Sequence, residues 1–248
     1  MPSTVVIGAT GDVGRGIVQV LIERGHRVAA VARNVERLRS LRQELNVESQ
    51  LQVVPGSVAS DSAAGELLRA VQATLPRIDH VVVAINSQRE SGTLLRLASD
   101  ELTQLLRADL VSHYTAARAF IPAIARDGVY LGIGGGSADF ILEDGIYMSV
   151  AQAGLRMLYR GLALELADAP VQVRELIIAS VVNGVSTRAQ ADPLWVTDVE
   201  IGAQVAAMLG SPAQFAEPIW RIARRDDSGR PVISAEAPTR AQRLPSPA

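Results

Sequence analysis

The chain contains no cysteine, which excludes disulfides, thiolate metal sites and a cysteine nucleophile. Lysine is missing as well. All 24 basic residues are arginine, so no mechanism that needs a lysine amine is open to this protein. Only three histidines occur (His26, His80 and His113), too few for a histidine-rich metal site, and no metal is expected. No apolar run approaches the ~20 residues that span a bilayer, and the start MPSTVVIGATG carries no basic region ahead of its apolar stretch. The 24 basic and 26 acidic groups leave a net charge of -2, with no long-range pull toward nucleic acid or an anionic membrane. The expectation is a cytoplasmic protein that binds neither.

What is present is an ordinary globular composition, 48% hydrophobic and 20% charged over 248 residues, a length that one α/β domain can fill. Short β-branched runs alternate with stretches of helical period, the pattern of βαβ units feeding a parallel sheet. Strands are expected over Ser3 to Ala9, Arg27 to Arg33, Leu51 to Ser57, His80 to Ile85, Gly128 to Gly134 and Val171 to Ser180. Cores such as VVVAI and ELIIAS are apolar without alternation, as strands covered on both faces should be. Helices are expected from Asp12 to Arg24 with Gly25 as its stop, after Asn34, after Ser60 or Asp61, from Asp100 to Ala125, from Tyr147 to Ala167, and after Thr197, which forms a capping box with Glu200. IWRIARRDDSGRPVIS supplies a last strand turning at DDSG. The fold class is thus a doubly wound parallel sheet, with one domain over residues 1–236 and a disordered tail over 237–248.

The strongest chemical signal is VVIGATGDVGRG, where Gly8, Gly11 and Gly14 punctuate the turn from the first strand into the first helix. One glycine permits the tight turn, one lets backbone approach a pyrophosphate, and one packs helix against strand, while the helix N-terminus offers free N–H groups. Thr10, Asp12 and Val13 fill the loop between them. An NAD site carries an acid at the end of the second strand, to hold the ribose 2′-OH. Here that strand ends Val31-Ala32-Arg33-Asn34. Arg33 can pair with a 2′-phosphate through its fork of donors, with Arg15 helping, so NADP(H) is favoured over NAD.

With these segments in place, the chain resembles the short-chain dehydrogenase/reductase family from residue 3 to about Pro212. The loop GATGDVG is similar to that of the extended and atypical branches, and GHRVAAVARNVERL to the family's second strand with an NADP-type arginine. PGSVAS resembles the third-strand end that lines the adenine, placing Ser57 and Val58 there, with Ser57 where an Asp is usual. IDHVVVAIN resembles the fourth strand, with Val83-Ala84-Ile85-Asn86 where the family has Asn-Asn-Ala-Gly, so that Ala84 and Ile85 line the cofactor. RADLVSHYTAARAFIP, GVYLGIGGGSA and AQAGLRMLYRGLALEL resemble the remaining core segments. The resemblance implies a Rossmann fold and hydride transfer to a small-molecule substrate. It also implies a homodimer or homotetramer built on the helices at 100–125 and 147–167.

The family's catalytic tyrosine, serine, lysine and asparagine align with Met148, Gly135, Gln152 and Asp109. A second alignment puts Tyr147 on the tyrosine and Ala151 on the lysine; under either, the pKa-lowering lysine is absent. Candidates for the remaining chemistry are Tyr147, one residue from the lost tyrosine, and Ser137, two beyond the lost serine. Asp109 and His113, four apart, could form a carboxylate-imidazole pair, and Gln152 could still hydrogen-bond the nicotinamide ribose. Trp195 would wall an apolar pocket. The functions left open are an atypical NADP(H)-dependent reductase of a carbonyl or conjugated compound, a non-catalytic NADP(H)-binding sensor or partner subunit, and a non-redox cyclase or isomerase.

Overall fold

The apolar runs form strands, and the computed structural model, which describes residues 1–47, 49–86, 93–143 and 145–237, arranges them in one sheet. The strands β1 (Ser3–Ile7), β2 (Arg27–Ala32), β3 (Leu51–Pro55), β4 (Ile78–Val83), β5 (Ile124–Gly135) and β6 (Gln172–Ala179) are all parallel. Two short strands, β7 (Val182–Asn183) and β8 (Val196–Thr197), pair outside this sheet. Beyond β6 lie β9 (Ile219–Arg225), parallel to it, and β10 (Pro231–Ala235), antiparallel to β9, in the order β10-β9-β6-β5-β4-β1-β2-β3. IWRIARRDDSGRPVIS is therefore two strands rather than one. Asp226 accepts from the N–H of Ser228 at 2.9 Å, and Gly229 turns the chain at φ +74°.

Helices cover both faces, as a parallel sheet requires. On one side lie α1 (Asp12–Glu23), α2 (Val35–Leu45) and α7 (Asp198–Gly210), burying Ile17, Leu21, Leu38, Leu41, Ile201 and Val205. On the other lie α3 (Asp61–Gln72), α5 (Ser112–Phe120) and α6 (Ile146–Glu165), burying Leu67, Val71, Phe120 and Leu155. The doubly wound single-domain fold expected from the sequence is what forms. Asn34 caps α2 by accepting from Arg37 N–H at 2.9 Å, Ser60 rather than Asp61 caps α3, and Thr197 and Glu200 close their box.

The helix expected from Asp100 to Ala125 is broken. It consists of α4 (Ser99–Leu106), a π-helical turn over Arg107–Val111, and α5, which stops at Phe120. Pro122 has no N–H, and its ring would strike the carbonyl four residues back, so the helix cannot pass it, and Ala125 belongs to β5. The tail beyond residue 237 lies outside the described residues.

Strand order reverses between β1 and β4, and the crevice outside their carboxyl ends is where doubly wound sheets bind ligands. A separate recess of about 600 Å³, lined by Arg77, Asp79, His80 and Arg126 among others, lies at the opposite end of the sheet and holds none of the candidate residues.

Candidate cofactor and active site

The glycine loop occupies that crevice. Gly8 adopts φ +91°, a Cβ on it would lie 2.2 Å from the carbonyl oxygen of Ala84, and its N–H bonds to Val31 at 2.9 Å. A Cβ on Gly14 would lie 2.1 Å from the oxygen of Gly8. Both positions therefore admit glycine alone. Gly11 stands at the cap of α1 and offers no side chain to it, so the first-turn N–H groups of Asp12, Val13 and Gly14 are left for an incoming acceptor. This cradle fits a pyrophosphate.

The side chains around the cradle are committed unevenly. Asp12 turns away from it, accepting from both the N–H and the hydroxyl of Ser186 in the segment that joins β7 to β8. Arg15 pairs with Glu44 near the end of α2. Arg33 stands exposed at the end of β2 and, among the described residues, makes no ion pair. Asn34 has its side chain in the α2 cap, the hydroxyl of Ser57 accepts from Ala59 N–H at 3.2 Å, and Val58 is buried. Thr10 is half-buried in the turn.

Across the crevice, β5 ends at Gly135, followed by a short turn, Gly136–Ala138, that carries Ser137. Oε1 of Gln152 accepts from the N–H of Gly135 at 2.6 Å, joining α6 to the end of β5 through an amide and a backbone group. Among the described residues the Nε2 of Gln152 is unpartnered. Tyr147 lies in the first turn of α6 with its side chain buried, while Met148 beside it is half-buried. Trp195 is half-buried just before β8, its carbonyl held by Arg225.

His113 is fully buried, and its two ring nitrogens are taken by Tyr159 Oη at 3.0 Å and the Ile85 carbonyl at 3.1 Å. Burial lowers its pKa to about 4, so the ring is neutral. The structure thus joins His113 to Ile85, just past the end of β4, rather than to Asp109, which is buried in the π-helical turn. Sequence reasoning missed Tyr159, Ser186 and Glu175. The signal for Glu175 was a carboxylate inside ELIIAS, a strand with both faces covered.

A family model described as enoyl-(acyl carrier protein) reductase matches residues 8–220. The chain belongs to the short-chain dehydrogenase/reductase family. A curated relative, carbonyl reductase family member 4 of Danio rerio, is 24% identical over 220 residues, covering 86% of this chain and 87% of that protein. Among solved structures, a short chain oxidoreductase from Pseudomonas aeruginosa PAO1, described as containing an atypical catalytic center, superposes with a TM-score of 0.78 at 21% identity, over 90% of this chain and 95% of that one. The RhlG/NADP active-site complex of Pseudomonas aeruginosa gives 0.77 at 20% identity, over 90% and 94%. As a short-chain dehydrogenase/reductase, this protein is an oxidoreductase of nicotinamide-binding type. No helix of the described residues is long and apolar enough to cross a membrane, and no group of three or more metal-ligating side chains occurs among them.

Proposed function

We propose that this short-chain dehydrogenase/reductase is a cytoplasmic, NADP(H)-dependent reductase of a carbonyl or conjugated small molecule, working without the family's tyrosine-lysine pair. The observation that carries the cofactor choice is Arg33, exposed and, among the described residues, without an ion pair at the end of β2 where an NAD site would need an acid. The glycine cradle supports dinucleotide binding, and the NADP named in the RhlG complex and the carbonyl reductase relative are in keeping with it. When bound, the cofactor supplies the hydride. The chain itself positions it: the α1 N–H groups take the pyrophosphate, Arg33 the 2′-phosphate, Ala84 and Ile85 the far side, and Gln152 the ribose. Tyr147, buried in the first turn of α6, and Ser137, half-buried in the turn after β5, are the side chains proposed to touch substrate.

Calorimetric titration with NADPH and with NADH tests this. NADPH is expected to bind the more tightly, and Arg33→Ala to weaken NADPH alone by about 10- to 100-fold, the worth of a charge-assisted contact. Equal binding of both nucleotides, or none, overturns the choice. The neutral amide of Gln152 in the lysine position favours a second reading, a non-catalytic NADP(H)-binding subunit. NADPH oxidation with any carbonyl substrate would eliminate it.

A homo-oligomer is proposed on the outer face of α6, where Val150, Met157 and Leu164 are exposed at helical spacing and a side chain on Gly161 would meet nothing within 4 Å. Sedimentation is expected to show dimers or tetramers that Met157→Glu dissociates.

A further inference from the structure

One layer beneath the cleft lies a carboxyl group that none of the roles above employs. Glu175, in the middle of β6, is 1% exposed and packed beneath the end of β5. A Cβ on Gly134 would lie 2.2 Å from Oε1 of Glu175 and 3.5 Å from Oε1 of Gln152, so both oxygens approach the bare face of the same glycine. Among the described residues neither oxygen of Glu175 receives a hydrogen bond, and Oε2 is wholly enclosed.

A carboxylate ion buried without donors is untenable, and the group keeps its proton instead. Burial pushes its pKa up to about 8. The guanidinium groups of α6 that face it lower this pKa without reversing the effect of burial, because their terminal nitrogens are held by other acids, while Nε of Arg156 is, among the described residues, buried without a partner. Arg156 pairs with Asp139 at 2.5 Å and Arg160 with Glu236 at 2.7 Å, while Arg221 of β9 is shared between the same two acids. Glu236, just past β10, pushes Glu175 further up. Tyr130 of β5 and Tyr159 of α6 are held neutral by burial, as is His113 of α5.

We propose that Glu175 is a positioning residue for the cleft: as a neutral acid it donates toward Oε1 of Gln152 and keeps that amide on the N–H of Gly135, and loss of its proton turns the amide away. With the proton gone, two acceptor oxygens would face each other over Gly134, and the amide relieves this by presenting Nε2 to the carboxylate. Gly135 N–H is then released. The consequence for cofactor binding rests on the function proposed above, in which Gln152 lines the ribose; the amide's rotation does not.

The test uses the protein without cofactor. In ¹⁵N-labelled protein the Gly135 amide resonance is expected to titrate with its midpoint near 8, and to stay flat in Glu175→Gln, whose side-chain NH₂ donates at every pH. An untitrating Gly135 in the parent protein, or an unchanged titration in the variant, overturns the proposal. Should Glu175→Gln fail to fold, Gln152→Lys decides: its ammonium is expected to lower the Glu175 carboxyl midpoint, read by ¹³C resonance, by at least one pH unit. An unmoved midpoint counts against the contact. NADPH affinity is expected to fall above pH 8 in the parent and not in Glu175→Gln. Absence of NADPH binding at all pH values would remove the cofactor reading and leave the Gly135 titration to judge Glu175.

Discussion

The phenol oxygen of Tyr159 lies 3.0 Å from Nδ1 of His113, whose Nε2 lies 3.1 Å from the carbonyl of Ile85. A carbonyl only accepts, so Nε2 carries the hydrogen and Nδ1 accepts from the phenol. The chain of bonds runs from α6 through α5 to the end of β4, next to the Ala84 carbonyl against which Gly8 is packed. Tyr159→Phe would leave Nδ1 buried without a donor. Urea unfolding is expected to show a loss of about 1–3 kcal/mol, and no loss would mean that the histidine finds another partner.

Acid should weaken the fold early. His80 and His113 have pKa values lowered to about 4 by burial, so in the folded state the neutral ring is favoured. The unfolded chain takes up these protons from about pH 6.5 downward, so their contribution is complete above 6.5 and is lost as pH falls toward 4. For His113 alone the loss is about 3 kcal/mol by pH 4. Thermal melts across this range are expected to show Tm falling, and less steeply in His113→Asn.

Alkali acts through Glu175 with the opposite sign. Its raised pKa gives stability that is complete below about pH 4.5, the unfolded value, and is lost as pH rises through about 8. Glu175→Gln is therefore expected to be more stable than the parent at pH 9, by a few kcal/mol at most, with the advantage shrinking toward pH 5. Paired urea titrations at the two pH values measure it.

Gly8→Ala places a methyl group 2.2 Å from the Ala84 oxygen on a backbone at φ +91°. Backbone on both sides cannot yield cheaply, so a loss of about 3 kcal/mol or more is expected, together with loss of nucleotide binding. Gly25→Ala is the control. It shares the positive φ but has open space around it, and it is expected to lose only about 1 kcal/mol and to bind as before.

Asp12 ties the segment between β7 and β8 to the glycine loop through Ser186, and Gly184 packs against its side chain. Asp12→Ala is expected to leave the core intact while speeding amide hydrogen exchange over residues 182–190 by about tenfold, for the loss of roughly 1.4 kcal/mol. Exchange that does not change would show that β7 and β8 hold the segment unaided.

Much of the fold was legible because its signals are local. The glycines at 8, 11 and 14, the Asn34 cap and the Thr197–Glu200 box each depend on residues a few positions apart. The break at the π-helical turn was not, since nothing in RADLV differs in period from a continuous helix; only Pro122 marked the far end. The pairing of Asp109 with His113 followed from i,i+4 spacing on one uninterrupted helix, and the imidazole found its partners 28 and 46 residues away instead.

The sequence by itself determined the doubly wound sheet, the glycine cradle and the absence of any lysine, because hydrophobic period, turn chemistry and composition are properties of neighbouring residues. Only the tertiary structure decided that Asp12 faces Ser186, that Gln152 reaches Gly135, and that Glu175 shares the face of Gly134 with that amide. Those contacts join strands and helices far apart in the chain. Their chemistry depends on burial and on which hydrogen bonds are left unmade, and neither exists until the sheet has closed over them.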